Sequence, residues 1–104
     1  MKAALLFTYL DVCTTILNRE PGGRFGFSVS QERNCEIDGI TKGSPADKSE
    51  LQVGDVIISI NYQKATTTKE VVEIMRGTGD SLEIKYCKKG KHEKCTILFL
   101  IAVI

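Results

Sequence analysis

A glycine-rich loop that runs directly into an alternating stretch is the feature that most limits how this chain can fold. The loop covers residues 22–26 and contains three glycines. Glycine reaches positive φ at little steric cost, so the backbone can turn sharply there. Phe27, Val29 and Gln31 then alternate with Ser28 and Ser30, which is the period of a half-buried strand over residues 26–31. The sequence therefore predicts a tight loop that ends in a strand.

A loop of this kind is suited to binding an anion. It leaves several backbone N–H groups pointing the same way without strand partners, and a free C-terminal carboxylate is one anion that such groups attract. Phe25, Phe27 and Val29 predict an apolar pocket beside these donors. The open edge of the strand can then pair with the rest of an extended peptide.

Two other interpretations of the loop stay open. Nucleotide-binding loops follow a strand and open a helix, whereas this loop is followed by a strand pattern and no Gly-Lys-Ser/Thr occurs. A tight hairpin packed with aromatic side chains would explain the glycines without any ligand.

The composition is typical of one globular domain. The 104 residues are 42% hydrophobic and carry a formal net charge of +1, which gives no reason to expect nucleic-acid binding. The four cysteines contain no Cys-x-x-Cys pair, and a free cysteine in a strand packs as a small hydrophobe. Reduced thiols are therefore expected, and with them a cytoplasmic location or the inner membrane surface.

The two ends of the sequence fall outside the predicted domain. Residues 1–11 imitate the start of a signal peptide but lack a small-residue cleavage site, so we interpret them as a leader. Residues 88–104 form an extension that is first basic and then apolar. Its ten apolar residues would rise only about 15 Å as a helix, half a bilayer core. Three interpretations of this run stay open: an extra strand, contact with an anionic membrane surface, and a non-native or splice-derived end.

Between these ends, strand and helix patterns follow one another. Strands are expected at residues 13–18, 26–31, 35–41, 56–60 and 82–86. Ser44 and Pro45 predict the start of a short helix, as an N-cap and a first helical residue. From residue 67 the period is helical, with Val71, Ile74 and Met75 on one face.

From about residue 12 to residue 87 the chain resembles a PDZ domain, and four motifs in register carry the resemblance. Residues 24–27, Arg-Phe-Gly-Phe, match the family's Gly-Leu-Gly-Phe loop, and residues 43–46 match its Gly-Ser-Pro-Ala motif. Residues 51–57 match its Leu-x-x-Gly-Asp-x-Ile turn, and residues 68–76 match its groove helix. The resemblance implies an α+β fold: a small, partly open antiparallel β-sandwich or barrel of five to six strands capped by two helices.

The resemblance also implies a site between strand 26–31 and helix 68–76, where the free C-terminus of a partner protein is added as a strand. The implied carboxylate-binding loop is Arg24, Phe25, Gly26 and Phe27. The implied pocket for the last side chain is Phe25, Phe27, Val29, Val72 and Met75. Ser28 and Ser30 are expected to pair with the peptide, and Arg19 and Arg76 to add positive charge.

Three departures from the family pattern affect these expectations. Arg24 replaces the family's first loop glycine, so positive φ is not expected there. Asn61-Tyr62 replaces the usual Asn-Gly of a turn. Thr68 stands where many members carry a histidine that bonds a ligand Ser or Thr two residues from the end. Its hydroxyl and methyl groups predict a hydrophobic or mixed preference there, in peptides that end in Val, Ile or Leu.

The remaining signals are weaker. Residues 85–94 and the apolar tail suggest a membrane-surface module as the alternative function, and residues 102–104 suggest self-association through the tail. Cys87, His92 and Cys95 would give a metal only three ligands, so no metal site is predicted. His92 lies outside the domain without a nucleophile ordered beside it, so we expect neither an enzyme nor a cofactor.

Overall fold

Six strands and two helices follow one another along residues 12–89, the part of the chain that the computed structural model describes. The strands are β1 (Val12–Asn18), β2 (Phe27–Val29), β3 (Ile37–Ile40), β4 (Val56–Ile60), β5 (Gln63–Lys64) and β6 (Ser81–Cys87). The helices are α1 (Pro45–Lys48) and α2 (Thr68–Arg76). Together they confirm the expected α+β fold with antiparallel strands and two helices.

The strands form two sheets of unequal size. Four strands lie in the order β1-β6-β4-β5, and β2 pairs with β3 in a separate sheet. All pairs are antiparallel, and β1 pairs with β6 over its full length, from Val12 opposite Cys87 to Asn18 opposite Ser81. An isolated bridge between Glu36 and Val56 joins the sheets. β1 and β2 are therefore edge strands within the described residues.

The core lies between the large sheet and the elements packed on it. Alternate residues of β6 point inward, so Leu82, Ile84 and Tyr86 are fully buried. From α2, the fully buried Val71 joins them, with Ile74 and Met75 packed at the margin. The helical stripe predicted from the sequence therefore faces the core.

Both helices begin at the predicted residues because a hydroxyl caps each of them. The Ser44 side chain accepts a hydrogen bond from the amide of Asp47, and Pro45 follows as the first helical residue. The Thr67 side chain accepts from the amide of Glu70, whose carboxylate in turn accepts from Thr66. These contacts satisfy donors that a helix N-terminus leaves without partners.

β2 is shorter than the predicted strand 26–31. The Ser30 hydroxyl accepts hydrogen bonds from the amides of Glu32 (3.1 Å) and Arg33 (3.0 Å), which turns the backbone away from the strand direction. The chain returns through Cys35, which has a positive φ of 65°. The strand therefore ends at Val29.

The Asn61-Tyr62 turn keeps the geometry of an Asn-Gly turn without the glycine. Asn61 has φ 50° and Tyr62 has φ 66°, and the flanking Ile60 and Gln63 are paired. Two positive φ values between paired strands are the mark of a two-residue type I′ hairpin. The Asn61 side chain and amide both bond the backbone of Glu83 at 2.8 Å, which holds the turn against β6.

The cysteines differ in state. Cys13 and Cys35 are free thiols, as expected, and burial raises the pKa of Cys35 to about 11. Cys87 is disulfide-bonded, which contradicts the expectation that all thiols are reduced.

Several sequence interpretations concern residues 1–11 and 90–104, which also lie outside the described part. They include the leader, the apolar tail with residues 102–104, His92 and Cys95. Neither helix within residues 12–89 has the length and hydrophobicity that a membrane span requires. In the same part of the chain, no three His, Cys, Asp or Glu residues come together as metal ligands.

Candidate functional site

The loop before β2 is held firmly from one side. Its carbonyl groups accept hydrogen bonds: Phe25 from the amide of Ala46 at 2.9 Å, and Gly26 from the amide of Thr41 at 2.8 Å. Gly26 has φ 90°, and a Cβ atom at this position would overlap the Ser44 side chain. Gly26 is therefore required both for its backbone angle and for its contact with the start of α1.

The amides of the same loop point elsewhere. Within residues 12–89, neither the N–H of Phe25 nor that of Gly26 has a hydrogen-bond partner. Arg24 does not adopt positive φ, as expected for the residue that replaces the family's first loop glycine. The loop thus has occupied carbonyls on one side and available donors on the other, the arrangement that favours an anion.

The pairing of β2 with β3 identifies which groups face the open edge. The Thr41-to-Gly26 hydrogen bond makes Phe27 and Ile40 a non-hydrogen-bonded pair, whose own N–H and C=O groups point away from each other's strand. The bond from the amide of Ser30 to the carbonyl of Glu36 (2.8 Å) does the same for Val29. Phe27 and Val29 therefore present their main-chain groups at the open edge of β2.

Ser28 and Ser30 were expected to supply these pairing groups, and the structure gives them other partners. The amide of Ser30 bonds Glu36 on the β3 side, and alternation directs the main chain of Ser28 to β3 as well. The Ser28 hydroxyl donates to the Asp38 carboxylate at 2.6 Å on the exposed face. The expected pairing was off by one residue along the strand.

A depression of about 540 Å³ lies beside the loop. It is lined by Arg19, Arg24, Phe25, Gly26, Phe27, Ser28, Gly39, Ile40, Thr41 and Met75. All four residues of the expected carboxylate loop are present, and so are three of the five expected pocket residues. Val29 and Val72 do not line it, although Val72 is 36% exposed on α2.

The two phenylalanines of the loop differ in exposure. Phe25 is 4% exposed and belongs to the core, whereas Phe27 is only partly buried and packs at its margin. Phe25 therefore forms the floor of the depression. A ligand side chain has more area to bury against Phe27 and Met75.

Arg19 supplies positive charge at the depression. Its guanidinium carbon lies 4.6 Å from the centroid of the Phe25 ring, and its Nε lies 3.4 Å from the Asp80 carboxylate. A second nitrogen donates to the carbonyl of Gly23 at 3.3 Å. Arg76, also expected to add charge, is exposed in the last turn of α2 and does not line the depression.

Thr68 is buried rather than facing a ligand. Its side chain and backbone are together only 4% exposed. The hydroxyl donates to the carbonyl of Ser30 at 2.6 Å and accepts from the amide of Cys35 at 3.1 Å. The sequence interpretation left this hydroxyl available for a ligand, whereas the structure engages it within the domain.

No site role was predicted for three residues that line the depression: Gly39 and Ile40 of β3, and Thr41 directly after it. Their place follows from the register of β2 with β3, which sets Ile40 opposite Phe27. Residues 35–41 were recognised as a strand, so that register was the missing information.

Comparisons with known proteins agree with this fold. The PDZ domain family profile matches residues 14–86 of the chain. A solved structure, Dlg1 PDZ2 of the choanoflagellate Monosiga brevicollis, has a TM-score of 0.65 at 21% identity and covers 75% of this chain and 99% of that one. At that identity the likeness shows the fold alone.

Two curated relatives are bacterial proteases. The serine endoprotease DegS of Haemophilus influenzae is 38% identical over 60 residues, which is 54% of this chain and 18% of the protease. A probable periplasmic serine endoprotease DegP-like of Hahella chejuensis is 33% identical over 66 residues, 62% of this chain and 14% of that protein. The aligned stretch is thus less than a fifth of either protease.

Proposed function

This chain belongs to the PDZ domain family, a family of protein-interaction modules, and from that premise we propose that it binds the free C-terminus of a partner protein by strand addition. The peptide lies between β2 and α2. The observation that carries the proposal is the set of main-chain donors at one end of β2: the amides of Phe25 and Gly26, and the edge-facing Phe27.

The chemistry of the loop fits a carboxylate. Two oxygens with several lone pairs can accept from the converging amides, and the nearby Arg19 guanidinium favours the negative charge. The last side chain of the peptide enters the depression between Phe27 and Met75. Burying an aliphatic side chain is worth roughly 1.5–3 kcal/mol, which favours peptides ending in Val, Ile or Leu.

The decisive experiment compares a randomised peptide array with free C-terminal acids against the same array with C-terminal amides. Hydrogen bonds to a charged group contribute about 1.5–3 kcal/mol, so amidation should weaken binding tenfold or more. Equal binding of acids and amides would contradict the proposal. If no free-acid peptide on the array bound the protein, that result would contradict the proposal as well.

The same array measures which residue type the protein prefers two positions before the C-terminal residue of the peptide. Because the Thr68 hydroxyl is engaged by Ser30 and Cys35, it offers little to a ligand hydroxyl. Val72 follows Thr68 by one helical turn on α2, and the apolar Val29 is the last residue of β2. We therefore expect Val, Leu or Phe at this position, and a tenfold preference for Ser or Thr would show the ligand class to be different.

The alternative function, binding to a membrane surface, gains no support from the lysines of the described residues. The Lys88 ammonium group donates to the carbonyl of Glu50 at 2.8 Å and lies 3.9 Å from the Asp55 carboxylate. Lys85 lies over the Tyr62 ring at 5.3 Å. These side chains contact the domain itself, so we propose peptide binding alone.

A further inference from the structure

The proposed peptide site between β2 and α2, called the groove from here on, has a buried polar link at its far end, where α2 begins. The Thr68 hydroxyl connects the carbonyl of Ser30 to the amide of Cys35, and all three residues are at most 4% exposed. Buried polar groups without partners are costly, so this link fixes the chain on both sides of the β2–β3 turn to the start of α2.

The link also redirects the backbone of β2. In a continued strand, the carbonyl of Ser30 would point the same way as its amide, toward β3. Its amide does bond Glu36 in that direction, but its carbonyl turns to Thr68 on α2. The next residue whose main chain would face the open edge is Gln31, and it lies in the turn that the Ser30 hydroxyl caps.

The number of pairing positions follows from this geometry. Only Phe27 and Val29 present main-chain groups to an added strand, and positions that face the same way in a strand are two residues apart. An added peptide therefore pairs through its last residue and its third residue from the end. A fifth residue from the end would need Gln31 in strand geometry.

We propose that Thr68 closes the groove and limits recognition to the last three residues of the partner's C-terminus. This inference rests on the proposed function. Thr68 acts here as a positioning residue for the backbone of Ser30, and its hydroxyl does not contact the ligand. A chain with this arrangement selects short C-terminal signatures and is indifferent to the sequence before them.

The first test uses randomised free-acid octapeptides. Residue selectivity should be confined to the last three positions, and the best octapeptide should bind within about threefold of its own C-terminal tetrapeptide. A larger loss on truncation, or selectivity at the fifth position from the end, would overturn the inference while leaving C-terminal recognition intact. If free acids and their amides bind equally, the proposed function itself fails.

The second test changes the link. Thr68→Val removes the hydroxyl at nearly constant shape, and Thr68→Ser keeps it. In the valine variant β2 is free to extend, so the octapeptide should gain more than threefold over the tetrapeptide, whereas the serine variant should behave like the natural chain. A folded valine variant with unchanged length dependence would show that Thr68 does not close the groove.

Folding of the valine variant is checked by thermal melting and by the cooperativity of its denaturant transition. If it does not fold, the octapeptide and tetrapeptide comparison on the natural chain and on Thr68→Ser still decides the question. Length dependence above threefold in those two proteins overturns the inference, and dependence below that value supports it.

Discussion

The two ends of the groove use their polar groups in opposite ways. At the loop end, the carbonyls of Phe25 and Gly26 are bonded within the domain and the amides are left without partners among residues 12–89. At the Thr68 end, the hydroxyl donates to the carbonyl of Ser30 and accepts from the amide of Cys35, so all three groups have partners. One end is arranged to donate hydrogen bonds to a ligand, whereas the polar groups of the other end are already bonded within the domain.

The difference separates binding from stability along one groove. Substitutions at the loop end should change peptide affinity, except where the loop is packed against α1. Substitutions at the Thr68 end should change stability first, because a buried group that loses its partner costs about 1–3 kcal/mol. Each of the following variants tests one part of this division.

Gly26→Ala should have the largest effect. The new Cβ would overlap Ser44, and φ 90° is strained for alanine. Overpacking and backbone strain together predict a loss of about 3 kcal/mol or more in the free energy of unfolding. Gly79→Ala is the matched control, because a Cβ atom at Gly79 would meet no atom of residues 12–89 within 4 Å apart from its chain neighbours, and Gly79 has no positive φ. Urea unfolding of both variants measures the difference, and equal stabilities would refute the packed-loop description.

Met75→Glu should weaken binding of every good peptide by tenfold or more while the domain stays folded. The new carboxylate would stand in the depression, remove apolar contact area and repel the peptide's own carboxylate. Val53→Glu adds the same charge at an exposed residue that does not line the depression. Titration calorimetry of both variants is the measurement, and a folded Met75→Glu protein with unchanged affinity would exclude this pocket.

Arg19→Gln should lower affinity by about threefold, since partly exposed charges contribute at most about 1 kcal/mol. The loss should shrink as salt rises toward 1 M, where the Debye length is about 3 Å. Arg76→Gln removes an equal charge from the exposed end of α2. If the two variants lose affinity equally, the contribution of Arg19 is net charge rather than its position.

Glu70→Gln should have the smallest effect, and it concerns stability alone. Hydrogen bonds from Thr66, and then from Thr67, lower the pKa of Glu70 below its usual value near 4.5. A lowered folded-state pKa stabilises the fold above the unfolded-state pKa, and this stabilisation is lost as the pH falls through the folded-state value. The variant should therefore melt lower than the natural chain at pH 7, with a gap that closes in acid. If the difference in melting temperature stayed constant as the pH fell, its cause would be packing rather than the charge of Glu70.

Local patterns predicted the elements of this fold well. The cap at Ser44, the core stripe of α2 and the order of the five predicted strands depend on residues a few positions apart, and the structure has them where the sequence indicated. The loop, with its glycines and aromatic residues, was likewise recognised. All of these signals lie within one turn or one strand of the residues that they position.

The Thr68 end could not be predicted in the same way. Its central hydrogen bond joins residues 38 positions apart, and no periodicity in the sequence links Ser30 to Thr68. The alternation of residues 26–31 favoured a longer strand because it records side-chain polarity and not where the backbone hydrogen bonds go. The same limit explains why Ser28 and Ser30 were expected to pair with the peptide. The main-chain N–H and C=O groups at the open edge of β2 are instead those of Phe27 and Val29.

The pairing of β1 with β6 has a mechanical consequence. Val12, the first residue of the ladder, is the partner of Cys87, the last, so the first and last residues of the ladder lie side by side. A force that pulls Val12 and Cys87 apart would break the hydrogen bonds of the ladder one after another, starting from this end. A force between Val12 and Ser81 would load the whole ladder in shear. Single-molecule pulling should therefore find a low unfolding force when the handles are attached at Val12 and Cys87, and a higher force when they are attached at Val12 and Ser81. Equal unfolding forces in the two geometries would contradict this expectation.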